Sequence, residues 1–184
     1  GMNFFANGGA YHLTDTESDS SPATATLLGT SVTTAADGID TVTYTTKVSD
    51  NGVTWTPNVA WVPGGTGSLD ITATCSAQPC YLHAWFDWNR DNDFNDAGEV
   101  ITFLNAPGGN QLSDTTAPIT NTFTTTLTFN IPASAVFDGS NIYSRFRLYS
   151  AQPASPSAGG PALDGSGNLL AGEVEDPFFQ IKSN

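Results

Sequence analysis

Residues 121–131, NTFTTTLTFNI, alternate with a period of two. Phe123, Leu127, Phe129 and Ile131 fall on one face, and Thr124, Thr126, Thr128 and Asn130 on the other. A helix would scatter these residues around its circumference, so the stretch predicts a strand with one buried and one wet face. SRFRLYS, residues 144–150, alternates too: Phe146 and Leu148 point one way, Arg145, Arg147 and Tyr149 the other. TVTYTTKV, VTWTPNVAWV, LDITATC, YLHAWFDW, EVITFL and PFFQIK carry the same β-branched and aromatic character. Turn signals separate the runs at Asn51-Gly52, Gly64-Gly65, Gly108-Gly109, Asp138-Gly139 and Asp164-Gly165. No apolar pattern sustains three helical turns; PASAVF after Pro132 suits a single turn at most. The expected fold is all-β, an antiparallel two-sheet β-sandwich of jelly-roll type in a single domain. Residues 1–36, rich in Ser, Thr, Ala and Gly, read as an irregular lead-in or a first strand, and 37–184 as the sandwich.

The charge balance narrows the partners. Asp and Glu number 18 against 5 Lys and Arg, a formal net charge of −13. Such a surface repels a phosphate backbone, which excludes nucleic acid as a partner. Four Trp, eleven Phe and five Tyr spread through the alternating runs exclude a disordered acidic chain. No apolar run approaches the roughly 18 residues that a membrane helix needs, so no membrane insertion is expected. Cys75 and Cys80 in TCSAQPCY suit a disulfide closing a short loop, which implies an oxidising compartment. Free thiols, or a metal site with His83, are the alternatives. GMNFFANGG lacks the basic and apolar segments of a secretory signal. Gly1-Met2 reads as a cloning remnant, and an export signal is expected to have been trimmed.

Residues 86–99, FDWNRDNDFNDAGE, crowd Asp87, Asp91, Asp93, Asp96 and Glu99 around one basic residue, Arg90. Asp87, Asn89 and Asp91 stand at alternate positions, the spacing by which a tight loop aims oxygens at one calcium ion. Asp93, Asp96 and Glu99 add oxygens. Position six is Asn92 rather than Gly, but Asn also adopts left-handed backbone. Five carboxylates in one turn repel each other unless a cation intervenes, and calcium, which takes many protein oxygens, suits them better than magnesium. The plain alternative is a solvated acidic turn.

This loop and a later AGEVEDPFFQIK together resemble the GEVED domain family. Trp85, Asp87, Asn89, Asp91, Asp93, Phe94, Asp96, Gly98 and Glu99 match the loop motif, and residues 172–176 the name-giving motif. SRFRLYS resembles the arginine-bearing strand between the two, and LLGTSVTTAADGID more weakly an upstream element. Asn92 and Pro177 depart from the pattern. The resemblance implies a β-sandwich module of secreted or surface-exposed bacterial proteins, with no catalytic activity and with further domains in a larger parent. Two roles are open for the motif: Glu173, Glu175 or Asp176 completes the calcium shell, or Glu173 and Glu175 pair with Arg145 and Arg147.

The leading expectation is therefore a calcium-stabilised, non-enzymatic and monomeric module with a structural or adhesive role, meeting a surface protein or a glycan. A carbohydrate-binding module is the alternative, with Trp55, Trp61 and Trp88, and more distantly Trp85, stacking on sugar rings; core packing is the competing role for these rings. A glycoside hydrolase using Glu99 and Glu173 is a remote third. His12 and His83 are the only histidines, and His83 reads as an ordinary strand residue. Pro153, Pro156 and Pro161 mark a long flexible loop within the domain.

Overall fold

The computed structural model describes residues 26–29, 52–75, 78–113 and 122–182. Within them the chain forms two antiparallel sheets packed face to face, with no α-helix. The first sheet is built on β3 (Thr66–Thr74). One edge of β3 carries β1 (Leu27–Leu28) and β2 (Val53–Trp55); the other pairs along its length with β7 (Phe123–Asn130). The second sheet is built on β4 (Cys80–Phe86) and the long β8 (Asp138–Tyr149). β5 (Val100–Ile101) and β6 (Gln111–Leu112) pair with the outer edge of β4. β9 (Gly172–Glu175) and β10 (Phe178–Lys182) share the far edge of β8.

The alternation in β7 is obeyed. Leu127, Phe129 and Ile131 are buried and Phe123 partly so, while Thr124, Thr126 and Asn130 are exposed. Opposite them on the second sheet, Leu82, Ala84, Phe86, Phe146 and Leu148 fill the other half of the core. Its centre is aromatic. Trp61 meets Phe129 edge-on at 5.2 Å, Phe86 at 5.8 Å and Phe179 at 5.1 Å between ring centroids. Burying each such ring stabilises the fold by roughly 2–3 kcal/mol. Gly67 of β3 is required by this packing: a Cβ there would lie 2.5 Å from the Phe129 ring.

The expected runs differ from the strands in several places. VTWTPNVAWV is a strand for Val53–Trp55 alone, because Pro57 and the left-handed Asn58 (φ 63°) turn the chain and send Trp61 inward. EVITFL shortens to β5 and a single bridge between Phe103 and Phe129. Asp138-Gly139 opens β8 instead of forming a turn, and PASAVF makes a turn closed by Ala135 N to Pro132 O at 3.1 Å. TVTYTTKV lies outside the described residues. β1 falls within the segment read as lead-in, and the GEVED motif itself is a strand. Cys75 and Cys80 form the expected disulfide, joining the end of β3 to the start of β4 and so one sheet to the other.

The outer face of the second sheet is not wet. Directly opposed residues of antiparallel strands share a face, so Tyr81, His83 and Trp85 of β4 stand beside Tyr149, Arg147 and Arg145 of β8. Except for Tyr81, all are buried. Their cover is the segment 151–171: residues 151–168, read as a long flexible loop, instead pack back on the sheet. Ala162 and Leu170 form a small second core with Tyr149. Arg145 Nη1 donates to Ala158 O at 2.9 Å, and Arg147 donates to the carbonyls of Ser157, Gly159 and Gly160 at 2.8, 3.3 and 3.1 Å. Two arginines thereby convert polar loop backbone into a lid.

Candidate metal centre

The acidic loop leaves the end of β4 and returns into β5. Its root is anchored in the core by Trp88, whose ring stacks on Phe86 at 4.5 Å and whose Nε1 donates to Gly98 O at 3.1 Å. Asp87 N donates to Tyr143 O at 3.0 Å, so the first acid is held by β8. Asn92 takes the left-handed conformation expected of it (φ 75°), as do Arg90 (φ 63°) and Gly98 (φ 94°). These three positions wind the chain into a compact turn.

The acids form two layers. Asp87 and Glu99 are buried at 0% and 1% exposure, whereas Asp91, Asp93 and Asp96 are exposed. Asp87 accepts the amides of Asp91 and Asn92, each at 3.1 Å. Glu99 accepts the amides of Trp88 at 3.2 Å and Asp96 at 3.1 Å. Asn89 bridges the rim, its Nδ2 donating to Asp96 at 2.6 Å and Asp91 at 3.2 Å while its Oδ1 accepts the Asp91 amide at 3.0 Å. Asp93 accepts the amide of Asn95 at 2.8 Å. These local bonds hold the side chains in the turn and leave lone pairs on every carboxylate.

Ligand-type oxygens gather in two groups, Asp87 with Asp91 and Glu99, and Asp91 with Asp93 and Asp96; in each the oxygens lie within 4.8 Å of one another. Asp91 belongs to both. None of the five carboxylates makes an ion pair with a basic side chain among the described residues. Arg90 turns away and grips Asp138 with both Nη atoms, at 2.9 and 2.7 Å. That fork holds the Asp138 carboxyl down to about 2. Burial pushes Glu99 up to about 7 against the pull of the Asp96 amide, and the charges of Asp87, Asp96 and Asp91 add to the rise. Burial likewise raises Asp87. A buried, uncompensated acid pair beneath an acidic rim is the environment that a hard cation relieves, so the residues fit calcium: oxygen donors only, from side chains at alternate positions.

The GEVED acids are elsewhere, which corrects the expectation that Glu173, Glu175 or Asp176 completes the metal shell. Glu173 lies opposite Leu148 and Glu175 opposite Phe146, so both face inward toward the first sheet. Glu173 accepts the amide of Leu28, and Glu175 that of Gly52 at 2.9 Å. Glu99 is level with Phe86, its O accepting the Phe86 amide. Leu82, opposite Leu148, lies four residues along β4, about 13 Å away at strand rise. The alternative pairing is corrected in part. The pleat puts Arg145 and Arg147 on the outer face, away from Glu173 and Glu175, and the acid that meets Arg145 is Asp176, at 2.6 and 2.7 Å. Leu28 and Gly52 were missed as partners because a backbone amide carries no sequence signal.

The stacking expectation is also corrected for Trp61, Trp85 and Trp88. Trp61, Trp85 and Trp88 are 3%, 3% and 2% exposed. Trp55 is half-buried and stacks on Trp61 at 4.7 Å. Trp61 and Trp88 are thus core and anchor and offer no platform for a sugar ring, while Trp55 has one face covered by Trp61. His83 sits in its strand with Nε2 2.8 Å from Asn110 Nδ2.

Residues 81–180 match the family model of the GEVED domain, more than half of the 184-residue chain, and the chain therefore belongs to the GEVED domain family. No curated protein and no solved structure matches it.

Proposed function

We propose that this GEVED domain is a calcium-stabilised, non-enzymatic module with a structural or adhesive role in a larger exported protein. The observation that carries the reading is Asp91, shared by two acid groups whose five carboxylates have no basic partner among the described residues, above a buried Asp87 and Glu99. When bound, calcium supplies positive charge and fixes the loop between β4 and β5. The chain's own residues do the rest: Asp87 and Glu99 tie the loop's amides together from below, Trp88 anchors it to the core, and Asn89 spaces the rim. Because such a site exists only in the folded state, ion affinity becomes folding free energy. Export is supported by the Cys75–Cys80 disulfide, which persists in oxidising surroundings. No helix among the described residues is long and apolar enough to cross a membrane.

The non-catalytic part of the reading draws on the placement of the two glutamates that a glycosidase would need face to face. Glu99 is engaged by loop amides and Glu173 by the β1 amide, at different levels of the sandwich. The burial of Trp61, Trp85 and Trp88 favours adhesion through loops or strand edges over sugar stacking. The test is thermal unfolding of the chelator-stripped protein during titration with calcium, with magnesium and Asp91→Ala as controls. A rise in Tm with calcium that Asp91→Ala abolishes is expected; no shift at millimolar calcium would reduce the loop to a solvated turn.

A further inference from the structure

We propose that Asp138 sets the calcium affinity of the acidic loop by holding Arg90 out of it; the inference rests on the calcium reading above. Arg90 is the one basic residue of residues 86–99 and stands between Asn89 and Asp91. Left to local electrostatics, its guanidinium would join the nearest carboxylates of the rim, none of which has another cation among the described residues. Its five donors would then occupy the lone pairs that an ion needs.

The fold prevents this. A left-handed backbone at Arg90 (φ 63°) turns the chain at the residue that bears the guanidinium. The first residue of β8 then captures it: Nη1 and Nη2 reach the two oxygens of Asp138 in a parallel fork, at 2.9 and 2.7 Å. The amide of Ser140 orients the Asp138 carboxylate at 2.9 Å, and Val136 N to Trp88 O at 3.0 Å ties the approach to β8 to the root of the loop. Arg90 Nε is buried without a hydrogen-bond partner, so among the described residues the head is held through Asp138. The pair is 25% and 50% exposed, and ion pairs of that kind add little to stability. Its worth lies in where it keeps a positive charge.

The test measures calcium dissociation constants of the whole chain at 0.15 M salt by calorimetry, beside the Tm of the calcium-free protein. Asp138→Asn keeps the Oδ1 acceptor for Ser140 and removes the charge and the second oxygen of the fork that hold Arg90. It is expected to weaken calcium binding about tenfold while leaving the calcium-free Tm unchanged or higher. Arg90→Gln is expected to bind calcium as tightly as the parent or tighter, and adding it to Asp138→Asn to restore the affinity. Equal weakening by Arg90→Gln and Asp138→Asn would overturn the proposal, since the pair would then be a strut for the loop. So would a difference that vanishes at 0.3 M salt, the mark of a general charge effect. A parent protein that binds no calcium would remove the calcium reading itself, and this inference with it.

Discussion

Glu175 Oε1 accepts the backbone amide of Gly52 at 2.9 Å, a buried bond between residues 123 apart in the chain. It runs from the GEVED strand of one sheet to the entrance of β2 in the other, and Glu173 makes the parallel bond to Leu28 of β1. The name-giving glutamates therefore latch the sandwich shut along one edge. Glu175→Ala is expected to cost about 2–3 kcal/mol, because it strands a buried amide once bound to a charged acceptor. Glu175→Gln, which keeps an acceptor, costs less. Gly52→Ala tests the same seam from the other side. Its Cβ would lie 2.4 Å from Gly29 N and 2.5 Å from Leu28 Cβ, so a loss of about 2 kcal/mol is expected. Urea unfolding measures both; a Glu175→Ala midpoint equal to the parent's would refute the latch.

Arg145 and Asp176 form a pair whose side chains are 4% and 7% exposed. Removing one partner leaves a charge in low dielectric, and Asp176→Asn is expected to destabilise by about 3 kcal/mol. Because Arg145 also holds Ala158 O, the variant should expose segment 151–171 to limited proteolysis earlier than the rest of the chain. Cleavage elsewhere first would mean that the lid does not depend on this arginine.

Burial, with the Arg147 charge adding to it, lowers His83 to about 4. The neutral ring is the form that can accept the Asn110 amide. A depressed folded value means that the unfolded chain binds the proton more readily, so this contribution is complete above about pH 6.5 and is lost as pH falls toward 4. The linkage amounts to a loss on the order of 2 kcal/mol at pH 4.5. Stability profiles of the parent and His83→Gln should converge at acid pH; parallel profiles would count against it.

Glu99 works in the opposite direction. Its folded value of about 7 lies above the 4.5 of a free glutamate, so without calcium its contribution is present below pH 4.5 and lost as pH rises through 7. Calcium should cancel that loss, and Glu99→Gln should remove it. At pH 6 ion binding is expected to release close to one proton. Calorimetry in buffers of different ionisation heat reads this directly, and zero proton release would exclude Glu99 from the ion's surroundings. The two pH trends overlap, which is why the His83 and Glu99 variants are compared with each other as well as with the parent.

The buried face of β7 was legible because Phe123, Leu127, Phe129 and Ile131 repeat within one strand, and a pleat turns that spacing into a face without reference to any other segment. The acidic loop was legible for the same local reason: Asp87, Asn89 and Asp91 are close in sequence, and five like charges in one turn are an electrostatic problem wherever the turn sits. The family motifs were likewise local strings. Residues 144–150 show where this stops. Their alternation separates Phe146 and Leu148 from Arg145 and Arg147, but it says nothing of what covers the second face. That depended on segment 151–171 folding back, with its carbonyls meeting the two arginines. The same holds for Glu173, Glu175 and Asp176. Strand register places the first two opposite Leu148 and Phe146, facing inward, and leaves Asp176 to Arg145. Register arises from contacts between segments far apart in the chain, and the amides of Leu28 and Gly52 that receive the glutamates look like any others until the two sheets are packed.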